Sequence, residues 1–354
     1  MNPYPHLDST TAEQAKLPPE ERMAHVLAYR FCNYPVADLI LDKLKIAFYD
    51  DAAGRQIGLA ILGASGCGKS HILRHFANDL CPPFRTRDRG LPVRPVVYLP
   101  LPSEFKLRDL QQLVLAAMGA VTHGWQGSNR DLHIKRLAKD LHVRLFVFDD
   151  IQHFTNQSPL WTSKLFDWIK YLLNDLEIAV VVAGIPTAAE ALQADEQIST
   201  RFEPLTMPRW QVGEALEQFL ANFEETFPLH EPSNLMAPEM QEEILLASRG
   251  VTRLMVGQLV NAAVYAIDQG IERIDASLLN VRNTHPRELA IATKRALIAF
   301  RRMKLGDSAA LEYFPELEQD VSGDVNPRDF GVERRIVRER HQDRRRGEYP
   351  GASG

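Results

Sequence analysis

The sequence predicts an α/β chain: a parallel sheet sandwiched by helices, followed by a small all-helical domain. Three observations predict it. Short apolar runs at 57–62, 96–99, 145–148 and 178–183 alternate with stretches of helical period. Strands that are apolar on both faces belong in a sheet covered on both sides. A glycine-rich loop joins the first of these strands to a helix, and after Pro208 only helical periodicity continues.

In chain order, residues 1–20 read as a flexible leader ending in Leu17-Pro18-Pro19. Residues 20–49 have helical spacing broken at Asn33-Tyr34-Pro35, which predicts two helices around a proline turn. Gly54 opens the first strand, 57–62. Strand 96–99, helix 107–118, strand 145–148, amphipathic helix 158–173 and strand 178–183 follow. Segments 212–225, 237–248, 251–268 and 275–280 read as helices, the last with Asp275 placed to cap it. A basic helix over 287–305 carries Lys294, Arg295, Arg301, Arg302 and Lys304. Beyond Gly306 the chain is acidic, then rich in arginine (Arg334, Arg335, Arg338, Arg340, Arg344, Arg345, Arg346), and poor in apolar residues. Such a segment is expected to be disordered without a partner. The expected organisation is a leader with helices over 1–50, an αβα domain over 51–207, a helical lid domain over 208–286, and a basic helix with tail over 287–354.

The 354 residues, 45% hydrophobic and 25% charged, have ordinary globular composition and suffice for two or three domains. A formal net charge of -5 gives no global nucleic-acid signature, so any DNA surface must be local. Cys32, Cys67 and Cys81 are odd in number and lack C-x-x-C spacing. That argues against a disulfide framework or a zinc ribbon and fits a reducing cytoplasm. Residues 1–16 lack the apolar stretch of a signal peptide. No apolar run approaches the ~20 residues of a bilayer span. The expectation is a cytoplasmic chain with no membrane partner.

Gly63-Ala64-Ser65-Gly66-Cys67-Gly68-Lys69-Ser70 fits G-x-x-x-x-G-K-[ST], with a strand before it and a helix from His71 after it. Glycines let backbone N–H groups turn inward to phosphate oxygens, and the helix N-terminus adds partial positive charge. The expected ligand is ATP, contacted by Gly63 to Ser70 and His71. Lys69 reaches the β and γ phosphates, and the Ser70 hydroxyl ligates Mg²⁺. Downstream, Leu145-Phe146-Val147-Phe148 is an apolar strand ending in Asp149-Asp150. Two carboxylates after a strand ordinarily make a solvated turn. With a phosphate loop upstream, Asp149 is placed to hold Mg²⁺ through water.

With these pieces the chain resembles an AAA+ ATPase of the TniB/TnsC family, the ATP-dependent regulators of Tn-type transposons. The resemblance spans about 30–285 and is carried by the loop, Asp149-Asp150-Ile151-Gln152-His153, and the strand ending in Ala183-Gly184. Asp195-Glu196-Gln197-Ile198-Ser199-Thr200-Arg201-Phe202 and Gly250-Val251-Thr252-Arg253-Leu254 complete it. It implies that Asp150 polarises the attacking water, where such proteins usually carry Glu. It implies that Arg201 is a finger donated to a neighbour's γ-phosphate, and that Arg253 closes the helical lid. A polar sensor is usual after the fourth of these strands; here Ile185 takes that place, with Thr187 as a possible substitute. It further implies DNA contacts from Ser103 to Asp109, through Lys106 and Arg108, or from the loop Thr122 to Arg130. The plain reading of Lys106 and Arg108 is a solvated helix start. The implied partners are duplex DNA, further copies of the chain in a ring or helical filament, a DDE-type transposase and a TniQ-like target-selection protein. Hydrolysis is expected to be slow and partner-stimulated. A helicase-loader or origin-binding ATPase, and a nucleotide-switched scaffold that never touches DNA, remain alternative readings. His71 and His75 have zinc-like spacing but no further ligand in register, and Trp161 with Trp168 reads as core.

Overall fold

The computed structural model describes residues 3–28, 30–50, 58–120, 129–155 and 159–305. Most of the candidate DNA loop (121–128) and the arginine-rich tail (306–354) lie outside the described residues.

Five parallel strands form the sheet: β1 (Gly58–Gly63), β2 (Val96–Pro100), β3 (Leu145–Asp149), β4 (Ala179–Gly184) and β5 (Phe202–Met207). Their spatial order is β2-β3-β4-β1-β5. Every residue of β1, β3 and β4 is buried, which is why those runs are apolar without alternation. The expected fold class is the observed one. The fifth strand was not expected, and its position explains why. β5 is an edge strand whose burial is interrupted and which contains Pro204, a residue an edge tolerates.

The helices are α1 (Ser9–Gln14), α2 (Pro19–Leu27), α3 (Pro35–Tyr49), α4 (Lys69–His75), α5 (Leu107–Ala117), α6 (Arg130–Asp140), α7 (Gln152–Thr155) and α8 (Pro159–Asn174). They continue with α9 (Thr187–Ala194), α10 (Glu196–Ser199), α11 (Glu214–Thr226), α12 (Pro238–Ser248), α13 (Thr252–Asp268), α14 (Val281–Thr284) and α15 (Pro286–Leu305). α4 passes into a π-helical turn, Phe76–Leu80. α6 was also unexpected. Only Ile134 and Ala138 are buried on it, too narrow a stripe to read as a period. It is held by Asp131, whose carboxylate accepts from Gln111 of α5 at 2.7 Å and from Trp168 of α8 at 2.9 Å. Trp168 is core, 4% exposed.

The chain forms two compact units. One comprises Arg30–Asn222 with Ile244–Val256; the other comprises Met1–Tyr29, Phe223–Glu243 and the described part of Gly257–Gly354. In the second unit the supposed leader is helical from Ser9. Asp8 caps α1, accepting from the N–H groups of Thr10 at 2.8 Å and Thr11 at 2.9 Å. Arg22 of α2, 3% exposed, makes a bidentate pair with Glu272 at 2.6 and 2.7 Å and donates to the Pro228 carbonyl at 3.1 Å. Arg295 of α15 is spent on Asp268 and Glu20. The turn Ala276–Asn280 is 3-10, and Asp275 makes no capping bond there; it accepts from Arg273 instead. Among the described residues, no single helix is long and apolar enough to cross a membrane.

Candidate functional site

The site belongs to the unit that contains the sheet. β1 delivers the loop at Gly63, and α4 begins at Lys69. Gly66 (φ 81°) and Gly68 (φ 101°) occupy the left-handed region, which is why glycine stands at both. Lys69 is 7% exposed. Its ammonium donates to the carbonyls of Gly63 at 2.7 Å and Ala64 at 3.0 Å. Burial pulls it below its usual pKa range, against the nearby charges of Asp149 and Asp150. Ser70 is half-buried in the first turn of α4. The His71 N–H is already bonded to the Gly68 carbonyl at 3.0 Å, and its ring lies 3.2 Å from the Arg30 carbonyl. Phe31 stacks on His75 at 3.7 Å.

At the end of β3, Asp149 is 1% exposed. One of its oxygens accepts from the Tyr98 hydroxyl at 2.7 Å, and the other from the Asp150 N–H at 3.0 Å. Asp150 lies at φ 63°, a conformation Asp tolerates better than most residues, and its carboxylate accepts from Gln152 at 2.9 Å. The turn is clamped to β4, because the Ile151 N–H donates to the Ala183 carbonyl at 2.8 Å. A Cβ at Gly184 would lie 2.7 Å from Ile151, so only glycine allows that approach. Ile185 follows, half-buried; Thr187 is exposed and opens α9.

The segment Gly250 to Arg253 docks on the loop itself. The Arg253 N–H donates to the Gly66 carbonyl at 2.9 Å, and the Thr252 hydroxyl donates to the Cys67 carbonyl at 3.1 Å. Trp210 in turn donates its ring N–H to the Thr252 hydroxyl oxygen at 2.9 Å. The Arg253 side chain is exposed. A cavity of about 310 Å³ opens beside the loop, lined among others by Tyr34, Cys67, Met207, Trp210, Val212 and Thr252. Tyr34 and Trp210 pack at 4.8 Å between ring centres. Sequence reasoning missed Tyr34, Trp210 and Thr252 as site residues, since each comes from a different segment and no spacing links them.

Arg201 stands elsewhere. It precedes β5, where Phe202 pairs with Gly58, whereas the loop begins where Gly63 pairs with Met207. Five residues of strand, roughly 17 Å, separate those levels. Arg201 donates to Asn174 at 2.6 Å. The turn before it is built by Asp195, which caps α10 and pairs with Lys170 at 2.9 Å. Lys106 and Arg108 are exposed at the start of α5, and Asp109 accepts from the Lys106 N–H at 2.9 Å. Among the described residues no group of three His, Cys, Asp or Glu side chains is placed to hold a metal. A Mg²⁺ site needs no such group, because one carboxylate, a hydroxyl and nucleotide phosphates suffice. Ser70 and the buried Asp149 fit that donor set.

A five-stranded parallel sheet in this order, with a phosphate loop leaving an interior strand, is the AAA+ ATPase fold. The Aeropyrum pernix ORC1 protein, solved in complex with DNA, superposes with a TM-score of 0.51 at 16% identity, covering 86% of this chain and 83% of that one. Aeropyrum pernix ORC2, in ADPNP–ADP complexes, gives a TM-score of 0.51 at 15% identity and covers 88% of each chain. Residues 22–212, more than half of the sequence, match the family model of the bacterial TniB protein. The chain belongs to the TniB family. No curated protein matches it.

Proposed function

We propose that this chain is an ATP-dependent DNA-binding regulator of transposition. It oligomerises on duplex DNA and, through a TniQ-like target-selection protein, links target choice to a DDE-type transposase. The observation that carries this reading is the buried Lys69, beside Ser70 in the first turn of α4 and within the field of Asp149, in a chain of the TniB family. Loop N–H groups receive the phosphates, and Lys69 exchanges the Gly63 and Ala64 carbonyls for phosphate oxygens. Ser70 and Asp149 would hold Mg²⁺, which would neutralise phosphate charge. The aromatic cavity of Tyr34 and Trp210 takes the base. Asp150, steadied by Gln152, accepts the proton of the attacking water. The short reach of Asp150, and Ile185 with no hydrogen bond to give, make hydrolysis slow until a partner tightens the assembly. Arg253 reports the nucleotide to the helical lid, and Arg201 serves a neighbouring copy. Lys106 and Arg108 meet DNA phosphates without reading sequence.

An origin-binding or helicase-loading ATPase is the second reading; the ORC1 protein that shares this fold was solved in complex with DNA. The test is a gel shift on random duplex with a non-hydrolysable ATP analogue, for wild type and Lys69→Ala, followed by pull-down with a transposase and with a replicative helicase. Wild type should shift the duplex and retain the transposase; Lys69→Ala should do neither. Retention of the helicase alone favours the second reading. No shift at all leaves a scaffold that does not bind DNA.

A further inference from the structure

We propose that Tyr98 is a positioning residue for Asp149. Its hydroxyl, held by Arg74, fixes the carboxylate in the orientation that meets the divalent cation accompanying ATP. The inference rests on reading this cluster as an ATP site.

Tyr98 lies on β2, next to β3, in register with Val147. Its hydroxyl reaches Asp149 Oδ2 at 2.7 Å. Arg74 donates from Nε to the same hydroxyl oxygen at 3.2 Å, and its guanidinium carbon lies 5.9 Å from the Tyr98 ring centre. The directions of these bonds are forced. Arginine can only donate, and an ionised carboxylate can only accept. The phenol therefore takes a hydrogen bond from Arg74 and gives its single proton to Asp149.

Position gives this relay its meaning. Arg74 follows Ser70 by four residues on α4, so the two share a helix face. The path from α4 through Tyr98 to Asp149 therefore ties the element bearing Lys69 and Ser70 to the strand bearing the buried carboxylate. Asp149 Oδ1 is fixed independently by the Asp150 N–H at 3.0 Å. Each carboxylate oxygen has two lone pairs, so one on each stays available to the cation's shell. A phenylalanine at 98 keeps the ring packing and loses the two hydrogen bonds of the hydroxyl, to Asp149 and from Arg74.

The experiment is equilibrium binding of a fluorescent ATP analogue, titrated with Mg²⁺, for wild type, Tyr98→Phe, Arg74→Gln and Asp149→Ala. Thermal unfolding of each is recorded alongside. Tyr98→Phe should bind the analogue in EDTA as wild type does and unfold at a somewhat lower temperature, because buried Asp149 loses a hydrogen bond. Its half-saturating Mg²⁺ should rise about tenfold, the equivalent of one hydrogen bond to a charged group. Arg74→Gln should move the same midpoint in the same direction by less. If Asp149→Ala shifts the midpoint and Tyr98→Phe does not, Tyr98 does not position Asp149. If Tyr98→Phe weakens binding equally with and without Mg²⁺, its role is general packing and the proposal is overturned. If even Asp149→Ala leaves the midpoint unchanged, the ATP-site reading itself fails.

Discussion

The backbone N–H of Arg253 donates to the carbonyl of Gly66 at 2.9 Å, so α13 starts on the phosphate loop itself. A Cβ at Gly66, in the left-handed region, would meet Val251 at 3.0 Å and Arg253 at 3.3 Å. Gly66→Ala is therefore expected to destabilise the protein by about 1–3 kcal/mol and to weaken ATP binding more than tenfold. Thr252→Val breaks the bonds to Trp210 and Cys67 without straining the loop, and should cost about 1–2 kcal/mol. Urea unfolding and nucleotide titration of both variants check this.

Arg201 sits at the far end of β1 from the loop, roughly 17 Å of strand away, as the proposed role in a neighbouring copy requires. Arg201→Ala should keep its unfolding midpoint within about 0.5 kcal/mol, as for a surface change. It should lose ATP-dependent oligomers in size-exclusion chromatography and lose hydrolysis with them. Normal assembly and turnover by the variant would place the finger elsewhere.

Lys106 and Arg108 are exposed at the start of α5. Replacing both by Ala should weaken duplex binding evenly across sequences. The slope of log affinity on log salt should shrink by about 0.9 for each phosphate that is no longer neutralised. An unchanged slope with binding intact moves the DNA surface to another part of the chain.

Asp150 couples two demands. Its φ of 63° favours Asp over Glu, while the proposed role as base would gain from the longer side chain. Asp150→Glu should hydrolyse ATP faster in a single turnover and be less stable by about 1 kcal/mol, the cost of the left-handed backbone. Asp150→Ala should be slower by about a hundredfold, and Gln152→Ala slower by less. Equal rates in all four proteins would remove Asp150 from the chemistry.

The Asp195–Lys170 pair sets a pH dependence. Desolvation pushes Asp195 up, but hydrogen bonds from Lys170, Ile198 and Gln197 outweigh it and hold the carboxyl below its usual range. Desolvation likewise pulls Lys170 down, but Asp195 and Asp167 raise it overall. A carboxylate with a depressed pKa contributes stability above its unfolded value, near ~4, and that contribution is lost as pH falls through the folded value. A raised lysine contributes below ~10.4 and loses that contribution as pH rises through its folded pKa. Lys170→Met should be less stable than wild type by about 0.5–1 kcal/mol at neutral pH. Urea unfolding should show that gap narrowing below pH ~4.

The legible parts of this chain were those whose cause is local. The loop from Gly63 to Ser70 announces itself because Gly63, Gly68, Lys69 and Ser70 stand at fixed spacing between a strand and a helix. Strands β1, β3 and β4 announce themselves because burial on both faces leaves no polar position. The position of Asp149 at a strand's end was legible because the apolar run stops there. β5 and α6 were not, because an edge strand and a helix with two buried positions carry weak periodicity.

Sequence alone thus determined the α/β class, the phosphate loop and the paired carboxylates, since each depends on neighbours along the chain. Only the tertiary structure decided what surrounds them. Thr252 reaches Cys67 across 185 residues, Tyr98 reaches Asp149 across 51, and Arg201 is carried to the opposite end of the sheet from the loop it follows in sequence. Packing, not spacing, makes those relationships. A hydroxyl in Tyr98 or Thr252 carries no sign in the sequence of which carboxylate or carbonyl the folded sheet will set beside it.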